Sequence, residues 1–596
     1  MTRRRAIGAE AVDGGVHFRV WAPARTKVAV VIDGRDHPLE RETSGHFSGV
    51  VSSARAGTRY RFRLDGEGET YPDPASRYQP EGPHGASEVC GRGTVHGAQC
   101  TVHWDPKDLV ISEIHIGTFT PGGTFLSAIE KLPQVAGAGI NMLEVMPVNE
   151  FPGRFGWGYD GVDWFAPAHV YGTPDDFRRF VAAAHRQGVG VILDVVYNHF
   201  GPDGCYWSKF TPDYFTKRYS NDWGEAINFE SDGVRELCAE NAAYWIDEFG
   251  LDGLRLDATQ DIHDPTDPHI LADIARAARA AAGDRAIFIV AENEGQNCTL
   301  IREYGVDALW NDDWHHSALV AFGREPEAYY SDYRGTPQEL VSMAKHAFLY
   351  QGQWYSWQKK HRGTPTGGID AHRFVCYLEN HDQVANSATG ERTYQLTSLR
   401  RYRALAALLL LGPETPMLFQ GQEFESSKPF LYFADHEPEL AAAVRKGRRE
   451  FLAQFPSVAS IADTLAPPED VATFARCKLD WSERETNREA LTLHRELIEL
   501  RRAYSTELAD GAVLGDHALV LRYADDRLLI VNLGDELDLD PVNEPLLAPP
   551  LGCEWSLLWS SSNDGFEEWL IPAESAIVLR PTTPRSQPSA AGAPGR

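Results

Sequence analysis

Eight short apolar runs, each separated from the next by a stretch long enough for a helix, constrain this chain more than any other feature. They are VISEIHIGTF (110–119), INMLEVMPV (140–148), VGVILDVVYNH (189–199), LDGLRLDA (251–258), AIFIVAE (286–292), DALWNDDW (307–314), RFVCYLENHD (373–382) and TPMLFQGQ (415–422). Nearly continuous apolar runs suit parallel strands buried on both faces, and parallel neighbours need a crossover between them. Eight such units close a (β/α)8 barrel, so the fold class is α/β. The stretch TPDDFRRFVAAAHRQG shows the helical half of one unit: Thr173 can cap it, Pro174 takes the first helical position and Gly188 can end it.

A chain of 596 residues has room for more than the barrel. Before it, GVHFRVW, KVAVVI and TRYRFRL alternate in the manner of half-buried strands, with Val16, Phe18 and Val20 on one face and Tyr60, Phe62 and Leu64 on another. This predicts an Ig-like β-sandwich over 1–104. The barrel is expected over 105–505, ending with a helix at about 484–503, and its longest connections, 200–232 and 315–372, should build the rim of a site. HALVLRYA, RLLIVNL, WSLLW and SAIVLR predict a second β-sandwich over 506–580, followed by a disordered tail, PTTPRSQPSAAGAPGR, over 581–596.

Charge excludes some partners. With 57 Lys plus Arg against 85 Asp plus Glu, the net charge of −28 repels phosphate backbones and anionic lipid, so neither nucleic acid nor a membrane is expected as a partner. The eight cysteines form no CxxC pair, which suggests reduced thiols and a cytoplasmic setting. MTRRR is followed by AIGAEAVDGG, which lacks the apolar centre of a signal peptide, and ALAALLLL (404–411) is too short to span a bilayer.

In a barrel of this kind, polar side chains at the carboxyl ends of strands point into the site. Here the third strand ends on Asp194, Asn198 and His199, the fourth on Arg255 and Asp257, the fifth on Glu292 and the seventh on Asn380, His381 and Asp382. One Arg-x-Asp alone is ordinarily an internal ion pair, and a strand-terminal Glu or His is ordinarily a cap. Four such charged strand ends in chain order point instead to a catalytic mouth. Cleaving a glycosidic bond with retention requires two carboxyl groups about 5–5.5 Å apart, and Asp257 and Glu292 lie on adjacent strands. Arg255 shares a face with Asp257 and should keep it charged and oriented, whereas Glu292, near other carboxylates, should hold its proton to higher pH. Trp104, Trp245 and Trp481 read as packing residues.

These residues resemble the α-amylase superfamily of glycoside hydrolases. DVVYNH (194–199), GLRLDATQ (253–260), VAENE (290–294) and LENHDQ (378–383) are similar to its four signature segments, in order. The resemblance implies Asp257 as nucleophile, Glu292 as general acid and base, and Asp382 as a third carboxylate that grips the sugar ring. His199, Arg255 and His381 match residues around that ring, and Tyr159 matches an aromatic that stacks beneath it. VAN (384–386) departs from the pattern, since relatives tend to carry a glycine-containing turn there. Many relatives hold calcium through the Asn matching Asn198. No convincing carboxylate cluster accompanies Asn198 in 200–232, so it is expected to be a structural hydrogen-bonder, with no metal or other cofactor required.

Outer stretches, from PDPASRYQPEGPHG (72–85) and GWGYDG (156–161) through NDWGEAINF (221–229), WNDDWHHSA (310–318) and YQGQW (350–354) to LYFADH (431–436), resemble the maltooligosyltrehalose trehalohydrolase family within that superfamily. The implied substrate is maltooligosyltrehalose, made by a partner enzyme, maltooligosyltrehalose synthase. Trp223 is a candidate for stacking on the trehalose end, its alternative being a loop anchor. A glycogen branching enzyme is the nearest rival reading, a debranching enzyme a further one, and a non-catalytic carbohydrate-binding barrel the reading from another class.

Overall fold

A computed structural model describes residues 3–66, 68–91, 104–221, 224–562, 566 and 569–584. Trp223 and residues 585–596 of the expected tail lie outside the described residues.

All eight expected runs contribute a strand, and the strands close in chain order. They are β1 (Ile111–Ile114), β2 (Met142–Val145), β3 (Gly190–Val195), β4 (Gly253–Leu256), β5 (Phe288–Ala291), β6 (Ala308–Trp310), β7 (Phe374–Tyr377) and β8 (Thr415–Phe419). The last strand pairs back onto the first, with Met417 opposite Ile111. Side chains of Ile111, Met142, Ile192, Val290, Val375 and Met417 pack together as the apolar floor of the barrel. Two residues further along their strands, on the same face, come Glu113, Glu144 and Asp194, so the next layer up is charged.

The strands are shorter than the apolar runs because caps intervene. In DALWNDDW, Asn311 accepts from the Trp314 amide at 3.3 Å and starts helix α2 (Asp312–Ala321), so Asp312, Asp313 and Trp314 are helical. The helix expected in TPDDFRRFVAAAHRQG is α1 (Pro174–Arg186); the Thr173 side chain accepts from the Asp176 amide and Asp176 reciprocates. Gly253 opens β4 because nothing larger fits: a Cβ there would stand 1.8 Å from the Phe288 carbonyl oxygen. Gly253→Ala should therefore destabilise the protein by about 1–3 kcal/mol through forced strand separation, seen as a lower melting temperature.

Four connections rise over the carboxyl ends. The one after β2 carries a hairpin (Asn149–Glu150 with Asp163–Pro167) and GWGYDG. The one after β3 carries a second hairpin, Phe215–Asn221 with Gly224–Ile227. The stretch after β6 is largely ordered structure, with α2, α3 (Pro337–His346) and the hairpin Gln353–Tyr355 with Lys360–Arg362. The run from β8 to a final helix at Arg488–Ala503 is longer still and contains α4 (Pro438–Leu452).

Before the barrel, two antiparallel sheets enclose Val16, Phe18, Val20, Val28, Val30, Tyr60, Phe62 and Leu64, all buried, as the alternation implies. After it, five antiparallel strands form a sheet whose last strand runs Ser575–Thr582, with a two-stranded ribbon, Leu537–Asp538 with Leu570–Ile571, alongside. Trp245 is fully buried, Trp104 packs edge-on against Phe288, and Trp481 packs against Phe119 while donating to its carbonyl at 2.6 Å. Among the described residues no helix is long and apolar enough to cross a membrane, and the seven described cysteines are free thiols.

Candidate active site

Arg255 organises the barrel mouth. Its side chain is fully buried, and its Nη1 donates to Asp194 Oδ2 at 2.8 Å and to Asp257 Oδ1 at 2.6 Å while Nη2 donates to Glu292 Oε2 at 2.7 Å. The guanidinium lies over the Trp310 ring, 4.2 Å from its centre, which gives the buried cation a further electrostatic partner. Asp257 and Glu292 thus lie one hydrogen bond from the same planar fork. In-register pairing of β4 and β5, Leu256 opposite Ala291, places both at neighbouring strand ends.

Each carboxyl group has a different environment. Asp257 Oδ2 also accepts from Asn198 Nδ2 at 2.8 Å, so Asn198 does act as the structural hydrogen-bonder expected of it. Glu292 accepts from the Ala258 amide at 3.0 Å, and its pKa is raised to about 8, first by burial and then by the charges of Asp257 and Asp382, against the pull of Arg255. The direction matches the expectation from sequence; burial, not neighbouring charge, is the larger cause. Asp382 is the most open of the three, with 41% of its side chain exposed. Asp194 is held at about 7, mainly by burial.

Tyr159 donates its hydroxyl to Asp194 Oδ2 at 2.6 Å and stacks its ring on His381, with centroids 5.2 Å apart and planes 21° apart. The loop that carries it needs Gly158: φ is +101°, and a Cβ would come within 2.0 Å of the Pro147 carbonyl oxygen. His199 sits beneath the Tyr159 backbone, its Nε2 2.9 Å from the Tyr159 carbonyl oxygen, and its ring pairs with Asn198. Burial lowers its pKa. His381 begins a short helix, His381–Ala385, which Asn380 caps by accepting from the Gln383 amide at 2.9 Å. Val384 and Ala385 of VAN thus lie in this helix, and Asn386 ends it.

Sequence reasoning left two carboxyl groups unremarked. Glu113 on β1 accepts from the His381 amide at 2.9 Å and from His381 Nδ1 at 2.5 Å. Glu144 on β2 is buried with no hydrogen-bond partner on either oxygen among the described residues, and its pKa stands well above the ordinary carboxylate range through burial and the nearby Glu113. The signal that exposes Arg255, a charge inside an apolar strand, is present in ISEIHI and MLEVM too. Arg448 of α4 also reaches the rim, donating to the Ala385 carbonyl at 2.7 Å.

The alpha-amylase catalytic domain matches residues 111–223 and 203–436, carbohydrate-binding module 48 (the isoamylase N-terminal domain) matches 6–78, and a domain of unknown function matches 506–578. A malto-oligosyltrehalose trehalohydrolase from Saccharolobus solfataricus is 40% identical over 502 residues, covering 83% of this chain and 86% of its own. The chain belongs to the malto-oligosyltrehalose trehalohydrolase family. A family member from Deinococcus radiodurans is 38% identical over 552 residues, 89% of this chain and 90% of its own. A crystal structure from Salmonella typhimurium, of a candidate alpha amylase, superposes with a TM-score of 0.88 at 34% identity, over 97% of this chain and 100% of the other. The GlgB 1,4-alpha-glucan branching enzyme of Rhodospirillum rubrum is 35% identical to the trehalohydrolase-family chain, but over only 41% of it and 37% of the branching enzyme.

Proposed function

We propose that this chain hydrolyses the α-1,4-glucosidic bond next to the terminal trehalose of maltooligosyltrehalose, with retention, releasing trehalose and a maltooligosaccharide. The observation that carries the reading is the single guanidinium shared by Asp257 and Glu292, with the more exposed Asp382 close enough for its charge to act on Glu292. Asp257 attacks the anomeric carbon as Glu292 gives its proton to the departing glycosidic oxygen. Glu292, now a carboxylate, then takes a proton from water, whose oxygen displaces Asp257 from the glucosyl unit. Asp382 binds the hydroxyls of that unit, with Arg255, His199, His381 and Tyr159 around it.

Product analysis on maltotriosyltrehalose beside maltopentaose tests the assignment: rapid release of trehalose with slow attack on the plain sugar is expected. New α-1,6 branch points from amylose would favour the branching reaction instead, whose named relative aligns with less than half of the chain. A synthase that places the trehalose end on the glucan is the expected supplier of substrate, and the free thiols suit the cytoplasm. Trp223 is proposed to stack on the trehalose end. Trp223→Ala should weaken trehalose-terminated substrates more than plain maltooligosaccharides, and equal losses on both would reject the role.

The raised pKa of Glu292 fixes a sign. Its acid form carries the proton that is needed, so kcat/KM should fall as pH rises through about 8. Glu292→Gln should lower kcat by roughly 10²- to 10⁴-fold and remove that limb from the pH profile.

A further inference from the structure

We propose that Glu113 is a positioning residue for this reaction: from β1 it clamps His381 so that Nε2 of the ring faces the Asp382 carboxylate and the sugar between the carboxylates. The inference rests on the reading of Asp257, Glu292 and Asp382 given above.

The clamp has two points. Glu113 Oε2 accepts from the His381 amide at 2.9 Å and Oε1 from His381 Nδ1 at 2.5 Å, and both side chains are 1% exposed. One carboxylate therefore fixes both the backbone and the ring of the same residue. An imidazole nitrogen that faces a carboxylate at that distance carries a hydrogen, so Glu113 selects the form with Nδ1 protonated. The opposite nitrogen, Nε2, stands 3.4 Å from Asp382 Oδ2. Ring rotation is blocked on two further sides, by Tyr159 stacked at 5.2 Å and by Trp157 edge-on at 5.2 Å. The logic is that of any histidine oriented by a carboxylate behind it, where the rear partner acts only through the ring.

Charges face His381 from five directions: Glu113 on β1, Glu144 on β2, Asp194 on β3, Arg255 on β4, and Asp382 beside it in its own segment, with His115 also near. Burial alone would strip the ring of its second proton. Asp382 and Glu113 outweigh burial and the opposing Arg255, and raise the pKa to about 9. Glu113 thus supplies both the direction of the ring and part of the charge that keeps it an imidazolium, present below about pH 9 and lost above it.

Glu113→Gln keeps an acceptor for the ring but removes the charge. With maltotriosyltrehalose, kcat/KM should fall roughly 10- to 100-fold, mainly in kcat, and the second alkaline decline set by His381, above the Glu292 limb in the unmodified enzyme, should move to lower pH as His381 loses its proton earlier. A double-mutant cycle separates this role from general support: in a His381→Asn background, Glu113→Gln should cost little more. Unchanged kinetics in the single variant, or the same loss in both backgrounds, would overturn the proposal. Should Glu113→Gln not fold, ¹⁵N-histidine NMR of the unmodified enzyme, assigned by difference from His381→Asn, decides the matter. Both His381 ring nitrogens protonated at pH 7.5 supports the clamp, and a bare Nδ1 refutes it. Should Asp257→Ala leave turnover intact, the underlying reading fails; an inert Asp257→Ala beside an unaffected Glu113→Gln sinks the clamp alone.

Discussion

Asp257→Ala should lower kcat on maltotriosyltrehalose by at least ~10⁴-fold while the protein stays folded. The size follows from the role. Without a carboxylate on that face of the sugar no glycosyl-enzyme bond can form, and groups that act as one unit lose nearly everything when one is removed. The site survives the change because Arg255 keeps Asp194 and Glu292 as partners. An added small nucleophile gives a sharper readout than loss alone. Azide should enter the space left by the side chain, restore part of the rate and yield a glycosyl azide of inverted configuration at the anomeric carbon. If Asp257→Ala turns over at the wild-type rate, or azide restores a product of unchanged configuration, Asp257 is not the nucleophile.

Arg255→Met is expected to produce the largest loss of stability in the barrel. The substitution leaves Asp194, Asp257 and Glu292 facing one another without their shared cation, and removing one partner of a buried charge cluster costs about 3–5 kcal/mol. The deficit should depend on pH with a definite sign. The remaining carboxylates in the folded variant would have raised pKa values, so they take up protons as pH falls and the repulsion is relieved. The gap in melting temperature between wild type and variant should therefore be wider at pH 8 than at pH 5. Arg255→Lys should recover part of the stability and little of the activity, because one ammonium cannot bridge Asp257 and Glu292 as a planar fork does. A gap that is constant with pH would mean that the loss comes from packing on Trp310.

The pattern of residues made the barrel legible, because buried parallel strands are written as apolar runs and each run here is bounded by caps or glycines. The site was legible to the extent that chemistry sits on a strand's own end: Arg255 and Asp257, two apart, announce a shared face, and Glu292 closes the next strand. What could not be read was which residues face each other across the barrel. Alternation says that Glu113 and Glu144 point inward, yet nothing local says that Glu113 meets His381, 268 residues away. The same holds for Trp310 beneath Arg255 and for Arg448, which arrives from the long stretch after β8. The strand in the run 307–314 covers only Ala308–Trp310, because Asn311 caps a helix that takes Asp312, Asp313 and Trp314. Stability of Asn311 as a cap is local and strong, and it outweighs the run.

Pairing of Met417 with Ile111 has a consequence for how the enzyme comes into being. A ribosome must emit more than two thirds of the polypeptide before the seam can zip, and by then Asp257, Glu292 and Asp382 have all been synthesised without a closed barrel to hold them together. Nascent chains are thereby expected to be silent toward glucan, and a chain cut short of Phe419 should show no turnover although Asp257, Glu292 and Asp382 are all present.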